Sequence, residues 1–159
     1  MSRMVASTLQ FIVALLMAFF LLLQFFGIPA ITRDTIRHNP ELAHLAVPFA
    51  GPAFLAFGCV VVALVALFVL LRMVKEGTVF TESAFRWVNV IIATAWVGSG
   101  LTAVPLVYAL LVPGPGPGPI SLILPVIMLC GVGIALLMTV MRALLRQAVD
   151  ARSELAEVI

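Results

Sequence analysis

A chain of 159 residues that is 64% hydrophobic and only 10% charged lies far from the soluble range, where roughly half the residues are apolar and about a quarter charged. Lipid is the solvent that this composition requires. The formal charge of +2 comes from basic groups too few and too dispersed for a nucleic-acid footprint, which excludes direct nucleic-acid binding.

Four apolar stretches, residues 9–28, 49–71, 88–112 and 120–141, each reach the length of about 20 residues that a helix needs to cross a bilayer. They predict an all-α protein in which four transmembrane helices form one membrane domain, an antiparallel up-down bundle with the lipid bilayer as its first partner. Residues 29–48 then form an outer loop, 72–87 a cytoplasmic loop, 113–119 an outer turn and 142–159 a cytoplasmic amphipathic extension. The first stretch follows Arg3 and precedes Ala30. Its apolar run exceeds the about 7–15 residues of a signal core and no small-x-small site follows, so it reads as an uncleaved anchor. Arg3, Arg72, Lys75, Arg86, Arg142, Arg146 and Arg152 share one side in this threading, against Arg33 and Arg37 on the other. Short loops rich in Lys and Arg stay in the cytoplasm, so both termini are expected there.

Within the first span Gln24 is the strongly polar side chain near the outer end, suited to an interhelical amide hydrogen bond. In the outer loop, Asn39 caps and Pro40 opens a short expected helix with Glu41 in its first turn. His38, Glu41 and His44 are three metal-ligating side chains in close succession. Helical zinc sites place histidines at i and i+4; these two flank Pro40 at a wider spacing, so no metal or other cofactor is expected. A solvated loop is the reading, with histidines free to titrate near their reference value of about 6.5. Cys59 and Cys130 fall about midway along the second and fourth spans. A thiol pair or disulfide is conceivable, but buried cysteine ordinarily packs as a small apolar residue, and two thiols without further ligands specify no metal.

Between the second and third spans, Arg72 and Lys75 place positive charge at a helix C-terminus, where the dipole favours it. Gly77 suits the left-handed residue that ends the helix. Thr81 caps the next one, Glu82 lies in its first turn, and Phe80 staples back onto Ala84 or Phe85. Trp87 belongs at the headgroup level. Thr81, Glu82 and Arg86 are candidate partner-binding residues, although a well-capped turn also accounts for them.

Ala95, Ser99 and Ala103 recur every fourth residue in the third span, beside Gly98 and Gly100, and Gly131 and Ala135 repeat the pattern in the fourth. Small residues at this interval let membrane helices approach closely, so these two spans are expected to form the tightest pair. Pro105 and Pro125 are expected to bend them. The PGPGPGP run at 113–119 reads as a tether closing a hairpin. Beyond Met141, Leu144, Leu145, Ala148, Val149, Leu155, Ala156 and Ile159 extend one apolar stripe, with Arg142, Arg146, Gln147, Asp150, Ser153, Glu154 and Glu157 opposite. Arg142 and Arg146 suit anionic headgroups, at about 1 kcal/mol each near the surface. Asp150, Glu154 and Glu157 suit a protein surface instead, either a partner's or the chain's own cytoplasmic loop.

Ionisable groups are absent from all four span interiors, which argues against ion-coupled transport. Asn89, Thr94, Ser99, Thr102 and Ser121 are the strongest polar side chains there, and none is paired with a base. No nucleophile stands by a histidine, no paired carboxylates suit acid–base work and no phosphate-cradling loop is present, so no enzymatic activity is expected. The halves show no obvious duplication of the kind many transporters carry.

Three stretches carry a family likeness: PELAHLAVP at 40–48, GTVFTESAFRWVNVI at 77–91 and MRALLRQAVDARSELAEVI at 141–159. They resemble the YoaS-like family of small bacterial four-span membrane proteins of unknown function, in its actinobacterial form, over nearly the whole chain. The GTVFT segment and the basic MRALLRQA exit are the most specific parts. The chain departs from many relatives in having Ser83 in place of Asn and Asn89 in place of an acid. The resemblance implies a bacterial inner (cell) membrane and supplies no catalytic residues. Relatives are often encoded beside a small Cro-like helix-turn-helix regulator, which implies a cytoplasmic DNA-binding partner. The expected role is therefore regulatory or scaffolding, through Thr81, Glu82, Arg86, Arg142, Arg146, Asp150 and Glu154. A small transporter or lipid-binding protein using the region of Asn89, Thr94 and Ser99 is the alternative, and a structural subunit among other membrane subunits is a third.

Overall fold

A computed structural model describes residues 3–38, 40–76, 82–111 and 120–157, all of them helical. Side chains are described at 5, 7–38, 40, 41, 43–76, 83–111 and 123–150. Helix α1 spans Arg3–Leu22 and passes through a π-helical turn, Leu23–Gly27, into α2, Ile28–His38. A 3-10 turn over Pro40–Leu45 leads into α3, Ala46–Glu76, followed by α4, Glu82–Leu111, and α5, Ile120–Glu157. Four segments, Ser7–His38, Ala43–Glu76, Ser83–Leu111 and Ile123–Asp150, are long and apolar enough to cross a membrane. Inside hydrocarbon only a helix or a closed barrel satisfies its own backbone, and the chain is accordingly a multi-pass membrane protein.

The segment 29–48, expected as a loop with a helix beginning at Pro40, differs. Helix continues through Pro29 to His38, and the residues after Pro40 form the tighter 3-10 turn. Proline lacks an N–H and crowds the carbonyl four residues back. The turn just before Pro29 is widened to receive it, and there the Ile28 N–H donates to the Leu23 carbonyl. Such a bulge keeps a helix going where a regular turn would clash. The end of α2 at His38 has its own cause, because the residue before a proline is steered away from helical conformation, and Asn39 precedes Pro40. The expected Asn39 cap, the Gly77, Phe80 and Thr81 turn and the PGPGPGP tether lie outside the described residues. Pro52, Pro105 and Pro125 all sit inside helices that continue past them.

Helix α3 packs on α1 and α4, and α4 packs on α5. Among the described residues α1 and α5 do not approach each other, so the four spans form a row open on one side. Gln10 meets Lys75, Phe20 meets Phe57 and Gln24 meets Phe54 across the α1–α3 seam. Phe49 and Tyr108 stack edge to face between α3 and α4, with ring centroids 6.2 Å apart.

Small side chains are prominent in the buried interior, beside Val13, Leu71 and Ile91: Ala66 and Ala135 are wholly covered and Ser99 nearly so, while Phe11 and Leu129 are more than two-thirds exposed. Large apolar residues stay outside because lipid covers them, and close backbone approach adds to the polar and ring contacts that hold the helices together. At the α4–α5 seam Ser99 lies directly over Gly131, where a Cβ would collide with the Ser99 hydroxyl. Ala95, Ala103 and Gly131 are half-buried along the same two helices. Gly133, two residues on, faces open space. Gly131→Ala is therefore expected to lower unfolding stability in mixed micelles, whereas Gly133→Ala raises it by up to about 1 kcal/mol through helix propensity. Equal effects of the two substitutions would contradict this seam.

Candidate lateral groove and polar ends

The open side of the row holds a groove of about 670 Å³, inside the roughly 300–1,000 Å³ range of ligand sites. Phe20 of α1 and Ile28, Ile31, Thr32, Thr35 and Ile36 of α2 form one wall. Leu124 and Ile127 of α5 stand opposite, with Leu101, Thr102 and Pro105 of α4 and the alanine-rich start of α3 between them. Ala46, Ala50 and Ala53 put short side chains on that part of α3, so its surface stays low where neighbouring helices rise around it.

Among the described residues no ionisable side chain lines the groove. Its three hydroxyls are occupied: Thr32 and Thr35 donate to the Ile28 and Ile31 carbonyls at 2.8 Å, and Thr102 donates to the Ser99 carbonyl at 2.7 Å. Back-bonding of this kind leaves methyl groups to face the cavity. The surface on offer is thus almost wholly apolar.

Gln24 sits at the π-helical turn with its side chain nearly buried, and its Nε2 donates to the Phe54 carbonyl at 3.2 Å. Gly58, one turn beyond Phe54, lies beside that amide, and a Cβ there would meet it at an ordinary contact distance of 3.5 Å. Interhelical hydrogen bonds in membranes contribute about 0.6–2 kcal/mol.

The region of Asn89, Thr94 and Ser99, named for the transporter or lipid-binding alternative, is organised around its own helix. Thr94 donates to the Val90 and Ile91 carbonyls at 2.9 Å and Ser99 to the Ala95 carbonyl at 2.7 Å, while Asn89 is exposed. Ser121 lies among the side chains not described. The groove occupies a different stretch of α4, and sequence reasoning missed it.

At the other end of the row, Lys75 donates to Gln10 at 2.5 Å, tying α3 to α1, and Arg72 pairs with Glu76 at 3.1 Å. That second pair is exposed and contributes about 0.3–0.5 kcal/mol at most. Arg86, Arg146 and Asp150 are exposed and Arg142 is half-buried. Thr81 lies outside the described residues, and Glu82 and Glu154 are described as helical backbone only.

The remaining candidates stay local. His38 Nδ1 lies 3.0 Å from the Asp34 carbonyl and 3.4 Å from the Asp34 carboxylate; His44 Nδ1 lies 2.7 Å from the Glu41 carbonyl. Each ring is engaged by its own turn, and among the described residues no three metal-ligating side chains converge. Cys59 and Cys130 are both free, the first half-buried beside Gly98 and the second exposed on α5. Gln24→Leu is expected to destabilise the protein by about 1 kcal/mol, read from unfolding in mixed micelles. Asn89→Leu on the exposed face of α4 should leave the midpoint unchanged, and a Gln24 variant as stable as that control would contradict the interhelical bond.

No curated protein and no solved structure matches this chain. Residues 30–159, covering α3, α4, α5 and nearly all of α2, match the protein family of unknown function DUF2975. The chain belongs to that family.

Proposed function

We propose that this protein is a non-enzymatic regulatory or scaffolding component of a bacterial inner membrane, of YoaS-like type, which presents a cytoplasmic surface to a soluble partner. The observation that carries this reading is the exit of α5. It runs as one helix of 38 residues, about 57 Å at 1.5 Å per residue, nearly twice what the hydrocarbon layer takes up. At and just beyond the end of the expected span, Met141, Leu144 and Leu145 are 58%, 56% and 38% exposed. Arg142, Arg146 and Asp150 accompany them. No other described element covers this stripe, which leaves it available to another protein.

An antiparallel up-down arrangement belongs to this reading, supported by the Gln10–Lys75 and Gln24–Phe54 pairs across α1 and α3. Cytoplasmic termini rest on the Lys and Arg distribution alone. Ser99 over Gly131 sets a matching register between α4 and α5, so Arg86 comes near the level of Leu144. The basic ends of α3, α4 and α5 then share one face. A helix-turn-helix regulator is the partner this reading names, on the strength of the family resemblance alone. Transport of a polar solute has less support, because the intramembrane hydroxyls are bound to their own helices. Lipid binding is favoured as a second role by the apolar groove.

The test is recovery of soluble partners on the immobilised, detergent-extracted protein, compared with a chain truncated after Arg146. Truncation is expected to abolish recovery of the regulator while the membrane domain remains folded. Unchanged recovery would contradict a role for the α5 extension.

A further inference from the structure

We propose that α5 pairs with α5 of a second copy of this chain, the two helices lying parallel and in register along one exposed seam that begins inside the bilayer and continues beyond it. The pairing depends neither on the soluble partner read above nor on which side of the membrane the end of α5 lies.

Among the described residues α5 packs on α4 alone, and its far side stays open along its length. Ile127 is 51% exposed, Ile134 52%, Leu137 64% and Leu144 56%, and Cys130 and Ala148 on the same side are exposed as well. Inside hydrocarbon such a line needs no protein cover, because lipid is as apolar as the side chains. Past the expected span the helix runs on without lipid around it, and burying the same kind of residue regains the drive that water supplies. A helix in water owes most of its stability to the packing of its apolar face.

The spacing says what kind of packing. From Leu137 onward apolar residues recur at alternating steps of four and three, at Leu137, Met141, Leu144, Ala148, Ala151 and Leu155, and α5 is one helix through Glu157. That is the repeat which winds helices around each other. Traced back into the span, the same register puts Ile127 and Ile134 at the first core position and Cys130, Leu137 and Leu144 at the second. A β-branched residue at the first position with leucine at the second favours two strands. Arg142, Arg146, Asp150, Arg152, Glu154 and Glu157 all fall off the seam. Across two parallel helices the repeat sets Gln147 against Arg152, and it opposes no two like charges.

The membrane selects the occupant. Copies inserted alike hold their α5 helices parallel and at equal depth, so each seam residue meets its own counterpart at the same height. A soluble protein reaches only the part beyond the span, whereas the exposed line is continuous from Ile127 to Ala148. The charged positions stay on the outside of the pair.

The experiment cross-links the full-length chain by mild oxidation in the membranes of expressing cells, where every copy is inserted the same way. A disulfide needs Cα atoms within about 7 Å, which seam positions of a parallel pair satisfy and outer positions do not. In a Cys59→Ala chain the native Cys130 is expected to give a covalent dimer, and in a Cys130→Ala chain the half-buried Cys59 is expected to give none. In the background lacking both, Met141→Cys and Ala148→Cys should cross-link and Ala143→Cys should not. Leu144→Glu sets two acids against each other on the seam and should raise the dimer's dissociation constant about tenfold, read by sedimentation of the detergent-extracted protein. Ala143→Glu should leave it unchanged. Absence of cross-links at the three seam positions would overturn the proposal, as would equal cross-linking at position 143 or a dimer indifferent to Leu144→Glu.

Discussion

In hydrocarbon a polar group without a partner has no water to fall back on, and this constraint shapes nearly every irregularity of the molecule. Pro29 deprives the first span of one backbone donor, and the chain widens a turn ahead of it while helix continues to His38. The same widened turn carries Gln24, the amide in the outer half of that span, whose hydrogens must go somewhere. They reach the Phe54 carbonyl on α3. The hydroxyls of Thr94, Ser99, Thr102 and Thr139 follow the same rule more cheaply by donating to carbonyls one turn back.

Once polar groups are satisfied inside each helix, association rests on fit. Lipid tails are as apolar as leucine, so burying leucine between helices confers little advantage over leaving it in the bilayer. The contacts that do form are those in which small residues admit a neighbour: Ser99 over Gly131, Ala135 and Ala66 fully enclosed, Gly98 beside Cys59. The small-residue face near the start of α3 meets no such neighbour. With α1 and α5 apart, the alanines there border open space, and the groove is the packing left unfilled by the chain itself.

Length and composition made the four spans legible, because a helix crossing lipid leaves an unmistakable apolar run. Small residues four apart are a local pattern, and Ser99 and Gly131 do meet at the α4–α5 seam; the expectation that these two helices form the tightest pair is not what the packing shows, because α4 meets α3 more extensively than it meets α5. The α2 segment was not legible. Arg33, Asp34, Arg37 and His38 lower its mean hydropathy, and Pro29 and Pro40 bracket it like helix breakers, so it reads as loop unless the π-helical turn is known. Gln24 announced a hydrogen bond without its acceptor, for a backbone carbonyl carries no signature in a sequence. The groove left no local trace either. It depends on which helix faces remain uncovered after packing, a property of the whole row, and the hydroxyl residues that marked a polar site in the sequence belong to helices that bond internally.

The threading proposed above divides the molecule into an apolar middle and polar ends on opposite sides of the bilayer, α2 with Arg33 and Arg37 at one and the basic ends of α3, α4 and α5 at the other. The sharpest test of that threading uses single cysteines in a background carrying Cys59→Ala and Cys130→Ala, probed on intact cells with a membrane-impermeant maleimide. Glu41→Cys should be labelled from outside and Glu76→Cys only after the cells are opened. Labelling of both positions from the same side would contradict the account.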